Sequence, residues 1–214
     1  MDIKGVITGD IVSSTSIKLE WREALLQKVH SIAEELHVIS DLRIEFFRGD
    51  SFQIIVAQPE ATQRIAVLLR AGLMANTPTT SDQPWDARLS VGIGEVSFLS
   101  DSVVISDGEA FRLSGRGMDG IKKRKLVVTT RWQNINDELA VSTAFVDDIV
   151  SGWTQPQAEV VYLSLLRQTT QKDVAQQVGK SPQTISGLMT LAKESLVADY
   201  LERLVKVILN EMNK

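Results

Sequence analysis

Two aspartates of the sequence stand where carboxylates could bind a metal ion. Asp10 ends the first predicted strand, and Asp50 lies in the turn of a predicted hairpin, Arg48-Gly49-Asp50. In a β-α-β-β unit these two points lie on the same edge of the sheet, where two carboxylates repel each other unless a cation lies between them. Mg²⁺ suits such a site, because it binds one or two carboxylates together with phosphate oxygens. We therefore expect Mg²⁺ (or Mn²⁺) at Asp10 and Asp50; the alternative is that both are ordinary turn residues.

The segment after Asp10 could bind an anion. Ile11-Val12-Ser13-Ser14-Thr15 leads into a predicted helix, and its N–H groups together with the helix N-terminus would form a cradle for phosphate. The candidate ligand-binding residues there are Ile11, Ser13, Ser14 and Thr15. The alternative is that Ser14 or Thr15 merely caps the helix.

A cluster of cations falls within fourteen residues and either faces an anion or is a solvated surface. Its members are Arg112, Arg116, Lys122, Lys123, Arg124 and Lys125. Arg112 and Arg116 are the two that we expect to hold anionic oxygens of the ligand.

The segment from Thr170 to Ser186 has the layout of a helix-turn-helix unit. Val174, Ala175 and Val178 form the apolar face of a short helix, and Gly179 permits a left-handed turn. Ser181 and Pro182 then begin a second helix. The outward positions that could reach DNA are Lys180, Ser181, Gln183, Thr184 and Ser186. The alternative is a protein-binding unit, because residues 151–214 carry a net charge of only +1, with 7 Lys/Arg against 6 Asp/Glu.

Hydrophobic periodicity predicts the elements that position these residues. Strands are expected over 2–9, 42–47, 51–57 and 86–97, and helices over 21–36 and 59–75. This order predicts an α+β fold of the ferredoxin-like type (βαββαβ), with both helices on one face of an antiparallel sheet.

A further helix over 108–120 and a strand over 126–130 follow, and after Trp153 only helical patterns remain. We therefore expect a nucleotide- and metal-binding domain at residues 1–152. An all-α helix-turn-helix domain, for binding DNA or for dimerisation, follows at residues 153–214.

The composition excludes several classes of function. The 214 residues are 43% hydrophobic and 23% charged, as in ordinary globular proteins, and there is no cysteine to form a disulfide, a thiolate nucleophile or a thiolate metal site. No apolar run approaches the ~20 residues of a membrane span, and the N-terminus lacks the pattern of a signal peptide. We expect a cytoplasmic bacterial protein with no membrane contact.

Four motifs in register resemble the class III nucleotide cyclases. They are Gly9-Asp10-Ile11-Val12-Ser13-Ser14-Thr15, Arg48-Gly49-Asp50, residues 88–96 and residues 108–116. The resemblance implies that Asp10 and Asp50 bind two metal ions, that the loop after Asp10 holds a triphosphate, and that Arg116 is catalytic if the chain is an enzyme. It also implies a site formed between two subunits, and hence a homodimer. A cyclase-like domain followed by a helix-turn-helix is similar to the bacterial SatD family.

The resemblance ends at the positions that read the base. Phe46 stands where the family has a base-reading lysine, and a position near Val103 is where it has a base-reading aspartate. Neither side chain offers a hydrogen bond to a purine. Arg112 replaces the transition-state asparagine, which favours anion binding over cyclisation.

The sequence therefore predicts a DNA-binding transcriptional regulator with a degenerate cyclase-like domain that binds a phosphorylated ligand, a nucleotide with Mg²⁺. One alternative is a divergent two-metal nucleotide cyclase or nucleoside triphosphate hydrolase, with the helical module used for dimerisation. A third reading is a ligand-free scaffold. The amphipathic stretch Leu191 to Met212 either packs within the chain or pairs with its copy in a homodimer.

Overall fold

The computed structural model describes residues 2–167 and 169–214, which form a mixed α+β structure as the strand and helix patterns predict. The strands are β1 (Ile3–Ile11), β2 (Leu42–Arg48), β3 (Ser51–Val56), β4 (Ala87–Phe98), β5 (Asp107–Gly108) and β6 (Leu126–Thr130). The helices are α1 (Leu19–Leu36), α2 (Thr62–Ala75), α3 (Glu109–Asp119), α4 (Gln133–Ser151), α5 (Gln155–Arg167), α6 (Gln171–Val178), α7 (Pro182–Leu191) and α8 (Glu194–Met212).

The strands form one sheet in the order β2-β3-β1-β4-β5, with β6 parallel to β4. Strand β1 lies in the middle and runs antiparallel to both β3 and β4. In this register Asp10 at the end of β1 lies opposite Ser51 on one side and opposite Arg88 on the other. Because side chains alternate between the two faces of a strand, this register decides which residues can meet Asp10.

The two faces of the sheet are covered differently. One face contributes side chains such as Ile7 and Leu89 to the main core, which it shares with α1 and α2. Helix α3 covers part of the other face, where the hydroxyls of Thr8 and Ser114 lie 2.9 Å apart. Gly92 lets α3 approach, because a Cβ there would overlap the backbone of that helix. The rest of this face, toward β2 and β3, borders an open cleft.

The helices after residue 153 share the main core with the sheet. Val160 of α5 and Leu204 of α8 belong to the same buried cluster as Ile7. The hydroxyl of Tyr200 on α8 accepts from Gln63 of α2 at 3.1 Å and lies 2.8 Å from the Thr143 hydroxyl of α4. The helical segment is therefore anchored on α2 and α4.

Two parts of the chain differ from the sequence patterns. Helix α4 occupies a stretch for which no element was predicted, although Ile135, Leu139, Val146 and Val150 lie buried along one of its faces. The amphipathic stretch beginning at Leu191 is interrupted at Lys193, whose φ of 53° is left-handed, so that α8 starts at Glu194. Leu201, Leu204 and Ile208 of α8 are buried inside this chain.

Within residues 2–167 and 169–214, no helix has both the length and the hydropathy that crossing a bilayer requires.

Candidate anion and metal site

The carboxylate of Asp10 is held between two neighbouring strands. Its Oδ2 accepts from Nη2 of Arg88 at 2.7 Å, and its Oδ1 accepts from the hydroxyl of Ser51 at 3.2 Å. The side chains of Asp10 and Arg88 are 24% and 41% exposed, so the ion pair is half-buried. The cation that lies against Asp10 in the structure is therefore the guanidinium of Arg88.

The β2–β3 hairpin places Asp50 beside the end of β1. Gly49 takes a left-handed φ of 62° in the turn, a conformation that glycine adopts without strain. The carbonyl oxygen of Asp50 accepts from the N–H of Ile11 at 3.4 Å. Asp10 and Asp50 thus lie at the same edge of the sheet, and the Asp50 carboxylate makes no hydrogen bond or ion pair with the described residues.

A cleft of about 490 Å³ opens between this edge and α3, a volume within the usual range for small-molecule sites. Four charged residues line it, two acidic and two basic: Asp10, Asp119, Arg48 and Arg88. Its other lining residues are Thr8, Gly9, Phe47, Ser51, Gln53, Gly115, Met118 and Ile121. Arg48 is exposed and forms no ion pair with any described residue. The Nε of Arg88 is buried and has no hydrogen-bond partner there.

The donors at this edge fit a Mg²⁺ that arrives with phosphate, but they form no ready-made metal cage. Among residues 2–167 and 169–214 there is no cluster of three or more His, Asp or Glu side chains that could hold an ion. Asp10 and Asp50 suit the usual mode of Mg²⁺, in which one or two carboxylates act together with phosphate oxygens. A metal ion at Asp10 would also be repelled by the guanidinium of Arg88, which is paired with the same carboxylate. The two-ion arrangement remains a prediction.

The N-terminus of α1 does not belong to the anion cradle that the sequence predicted, because the loop after Asp10 does not lead directly into that helix, which begins at Leu19. A short 3-10 turn, Ser14–Ser16, stands in between. The side chain of Ile11 is buried, and its N–H already donates to the carbonyl of Asp50. The N–H groups of Ser13, Ser14 and Thr15 have no bond within the described residues. They are the remaining donors of this loop.

Arg112 and Arg116 do not line the cleft. Both are exposed on α3, where Nη1 of Arg112 donates to Asp107 at 3.0 Å and Nε of Arg116 donates to the carbonyl of Arg112 at 3.2 Å. The cations that border the cleft are Arg48 and Arg88, to which the sequence analysis assigned no role. For Arg88 the missed signal was strand register, which sets it opposite Asp10.

The positions that read the base in cyclases are occupied by packing groups. The ring of Phe46 lies 5.0 Å from that of His30 and 5.4 Å from that of Phe52, while Val103 is buried. The neighbouring Glu45 accepts from the Ser102 hydroxyl at 2.8 Å, which with the Val104 N–H lowers the pKa of that carboxyl. Glu45 of β2 therefore holds the loop that contains Ser102 and Val104. Phe46 and Val103 serve as packing groups and offer no side-chain hydrogen bond to a base.

Helices α6 and α7 form a compact pair joined by a tight turn. Thr170 and Asp173 cap α6 reciprocally, and Gly179 ends it with a φ of 68°. The Ser181 hydroxyl caps α7 by accepting from the N–H of Thr184 at 3.2 Å. Ile185 is fully buried against the core. Each end of the turn is therefore specified by local hydrogen bonds.

All five residues predicted to reach DNA are exposed: Lys180, Ser181, Gln183, Thr184 and Ser186. Their side chains are not equally available. The hydroxyls of Ser181 and Thr184 lie 3.0 Å apart and bind each other. The side chains of Lys180, Gln183 and Ser186 make no hydrogen bond within the described residues, so they are the ones free to contact a partner.

No protein-family model matches this chain, and no curated protein matches it. The chain is similar to several solved structures. One is a bacterial light-regulated adenylyl cyclase, at 13% identity over 65% of this chain and 79% of that one, with a TM-score of 0.47. Another is a dimeric guanylyl cyclase domain from the aquatic fungus Blastocladiella emersonii, at 14% identity over 54% and 72%, with a TM-score of 0.42.

A third similar structure is a regulator of polyketide synthase expression from Bifidobacterium adolescentis, at 14% identity over 100% and 83%, with a TM-score of 0.29. None of these likenesses is strong enough to assign a family or an activity. The function of this chain must be inferred from its own residues.

Proposed function

We propose that this chain is a cytoplasmic DNA-binding transcriptional regulator with two domains. Residues 1–152 form a ferredoxin-like, degenerate cyclase homology domain that binds a phosphorylated ligand, a nucleotide with Mg²⁺. Residues 153–214 form a helix-turn-helix domain that binds DNA as part of a homodimer. The observation that carries the proposal is the capped α6–α7 pair with free polar side chains at the start of α7.

The exposed start of α7 suits the edges of DNA bases. A helix-turn-helix contacts bases through the N-terminal residues of its second helix, and Gln183 is able to pair with adenine in the major groove. Lys180 lies in the turn, where a cation can contact phosphate. One helix-turn-helix unit with so few cations would bind DNA weakly. A homodimer would double the number of phosphate contacts and so raise the affinity for DNA.

The cleft beside Asp10 supports the binding of a phosphorylated ligand. Arg48 supplies a cation that has no ion pair with any described residue. Ser13, Ser14 and Thr15 lie outside the lining of the cleft, but their N–H groups, which have no hydrogen-bond partner among the described residues, follow β1 at the same edge of the sheet. Asp10 and Asp50 supply the carboxylates that a Mg²⁺ bound to phosphate uses. The chemistry favoured here is recognition of phosphate.

A divergent two-metal cyclase or nucleoside triphosphate hydrolase is the second candidate. It is favoured by Asp10 and Asp50 lying together at one sheet edge. Arg116, its expected catalytic residue, lies outside the cleft on the described surface, and Phe46 and Val103 are packing groups. An enzyme on this chain would therefore have to use a different arginine from the one that the sequence predicted, such as Arg48 in the cleft or an arginine of a second subunit.

DNA binding is tested by selecting duplexes from a random pool with the full-length protein and then measuring their affinity by fluorescence anisotropy. We expect Gln183→Ala to weaken binding by about tenfold, since one bidentate base contact contributes ~1–3 kcal/mol. Gln83→Ala, which changes the same residue type in an exposed distant loop, serves as the control and should leave affinity unchanged. If no duplex is enriched, the regulator assignment is wrong.

Ligand binding is tested by calorimetric titration with ATP, GTP, CTP and UTP, each with Mg²⁺ and with excess chelator. We expect one of them to bind, and Arg48→Gln to weaken that binding because it removes the unpaired cation of the cleft. The absence of binding by all four in both conditions would leave the first domain as a ligand-free scaffold.

The sheet edge that holds Asp10 is connected to α4 through a series of hydrogen bonds. The N–H of Val12 donates to the backbone carbonyl of Asp86 at 3.0 Å, and the Asp86 carboxylate shares the Arg70 guanidinium with Asp147 of α4. Regulation requires that the ligand bind more tightly to one arrangement of the chain than to another. It is measured as a change in DNA affinity on adding the nucleotide identified above.

A further inference from the structure

The ion pair of Arg88 with Asp10 bears directly on how a metal ion would bind at the candidate site. The two residues are paired in the register of β1 and β4, which places the guanidinium within reach of the carboxylate. One carboxylate oxygen accepts from Arg88 and the other from Ser51. Asp10 is thus already neutralised and oriented by its own chain.

We propose that Arg88 and a divalent cation are competing partners of the Asp10 carboxylate, so that Arg88 sets the affinity of the site for metal. This inference rests on the proposed function, because it concerns the metal that accompanies the phosphorylated ligand. Arg88 would then act as a positioning residue. It would keep a metal ion off Asp10 until a phosphate of the ligand binds the guanidinium in place of the carboxylate.

The competition follows from charge and geometry. A divalent cation on Asp10 would lie within a few ångströms of a guanidinium that is hydrogen-bonded to the same carboxylate, and like charges at that range repel. Half-burial strengthens this repulsion, since water screens the pair less than it screens an exposed one. Removing the guanidinium leaves a half-buried carboxylate without its counterion, and a metal ion then restores the balance.

Arg88 is also held weakly enough to leave. Its side chain is 41% exposed, and Asp10 is its only side-chain partner among the described residues, since its buried Nε has no partner there. Arg70, by contrast, is held at several points by Asp86, Asp147 and Ser151. A side chain with a single ion pair is one that a stronger competitor can replace.

The test measures binding of Mn²⁺ alone to the full-length protein, with free Mn²⁺ counted by electron paramagnetic resonance. We expect Arg88→Gln to bind Mn²⁺ about tenfold more tightly than the wild type, because the substitution removes a like charge from beside the ion. When Arg88→Gln is combined with Asp10→Asn, we expect no increase in Mn²⁺ affinity, because the carboxylate for which the two cations compete is then absent.

Arg203→Gln is the control for net charge. It removes an equal charge from an exposed position of α8 that does not line the cleft, and we expect it to change Mn²⁺ affinity by less than about threefold, as for a screened, exposed charge. Equal gains in the Arg203 and Arg88 variants would overturn the proposal, since a general loss of positive charge would then explain both. Unchanged or weaker Mn²⁺ binding by Arg88→Gln would also overturn it.

Folding of each variant is verified by circular dichroism. If Arg88→Gln does not fold, Arg88→Lys is used, because its shorter side chain forms a looser pair with Asp10 and should still bind Mn²⁺ more tightly than the wild type. The absence of Mn²⁺ binding in every protein refutes competition. The proposed function fails separately, when neither nucleotides nor DNA bind to the wild type, whatever the Mn²⁺ result.

Discussion

Arg70 and Asp86 form a bidentate ion pair in the interior of the protein. Nε and Nη2 of Arg70 donate to the two carboxylate oxygens of Asp86 at 2.8 and 2.9 Å, and both side chains are almost completely buried. Asp147 accepts from Nη1 at 2.9 Å, and Lys125 reaches Asp86 at 2.9 Å. Burial opposes the charge on Arg70, but the two aspartates outweigh it and raise the pKa of the guanidinium. The network joins α2, the start of β4, and α4.

We expect Arg70→Met to lower the free energy of unfolding by about 3–5 kcal/mol, because it leaves the buried carboxylate of Asp147 without its cation and that of Asp86 with Lys125 alone. Urea unfolding followed by circular dichroism measures the loss. Arg203→Met is the matched control: its pair with Glu138 is 57% and 41% exposed, and its removal should cost ~1 kcal/mol or less. Similar losses in the two variants would show that the buried network adds nothing special.

Two glycines near α3 should respond oppositely to alanine. Gly92→Ala places a Cβ against the backbone of Ala110 and Ser114, so α3 must move away from the sheet, and we expect destabilisation of about 1–3 kcal/mol or more. Gly115→Ala meets nothing within 4 Å on the same helix and should stabilise by ~0.5–1 kcal/mol through helix propensity. Thermal unfolding compares them, and destabilisation by Gly115→Ala would contradict the open space assigned to it.

Alkaline pH should destabilise the protein through its two tyrosines. Burial raises the pKa of Tyr162, helped by the hydrogen bond to Glu35, and burial raises the pKa of Tyr200 despite its bonds to Thr143 and Gln63. Below the unfolded value of about 10, both states keep the protons and the contribution is complete. Above it, the unfolded chain loses protons first, so stability falls by ~1.4 kcal/mol per pH unit for each tyrosine.

This pH dependence is measured by urea unfolding between pH 8 and pH 11, with tyrosinate absorbance recorded in parallel. Tyrosinate should appear together with the loss of helix. Its appearance near pH 10 in a protein that retains its circular dichroism would show that the phenols are not protected. Tyr162→Phe should halve the tyrosinate signal.

The α6–α7 unit should separate stability from DNA recognition. Ser181→Ala removes the cap of α7 and should cost about 1 kcal/mol of stability. Gln183→Ala, two residues further along, alters an exposed side chain without a bond and should change stability by less than ~0.5 kcal/mol. Chemical denaturation of both variants distinguishes the two roles, and equal losses would mean that Gln183 has a structural contact instead of a free surface.

Local chemistry in the sequence was enough to place most of the elements. The apolar alternation of β1 and β4 and the hairpin at Gly49 depend on neighbouring residues, so they could be predicted. The same holds for the capped turn at Gly179. Helix α4 was missed although its apolar spacing is regular. The cradle at Ser13–Thr15 was predicted to include a helix N-terminus, but a 3-10 turn, Ser14–Ser16, separates this loop from α1.

The sequence by itself determined which residue types are available for chemistry: two aspartates at predicted turns, a basic segment and a polar helix start. Only the tertiary structure decided which cations meet Asp10. Arg88 lies opposite it through the pairing of β1 with β4, while Arg112 and Arg116 of α3 are exposed outside the lining of the cleft. The physical reason is that side-chain direction follows strand register and helix packing. These arise from contacts between residues far apart in the chain, which local spacing does not encode.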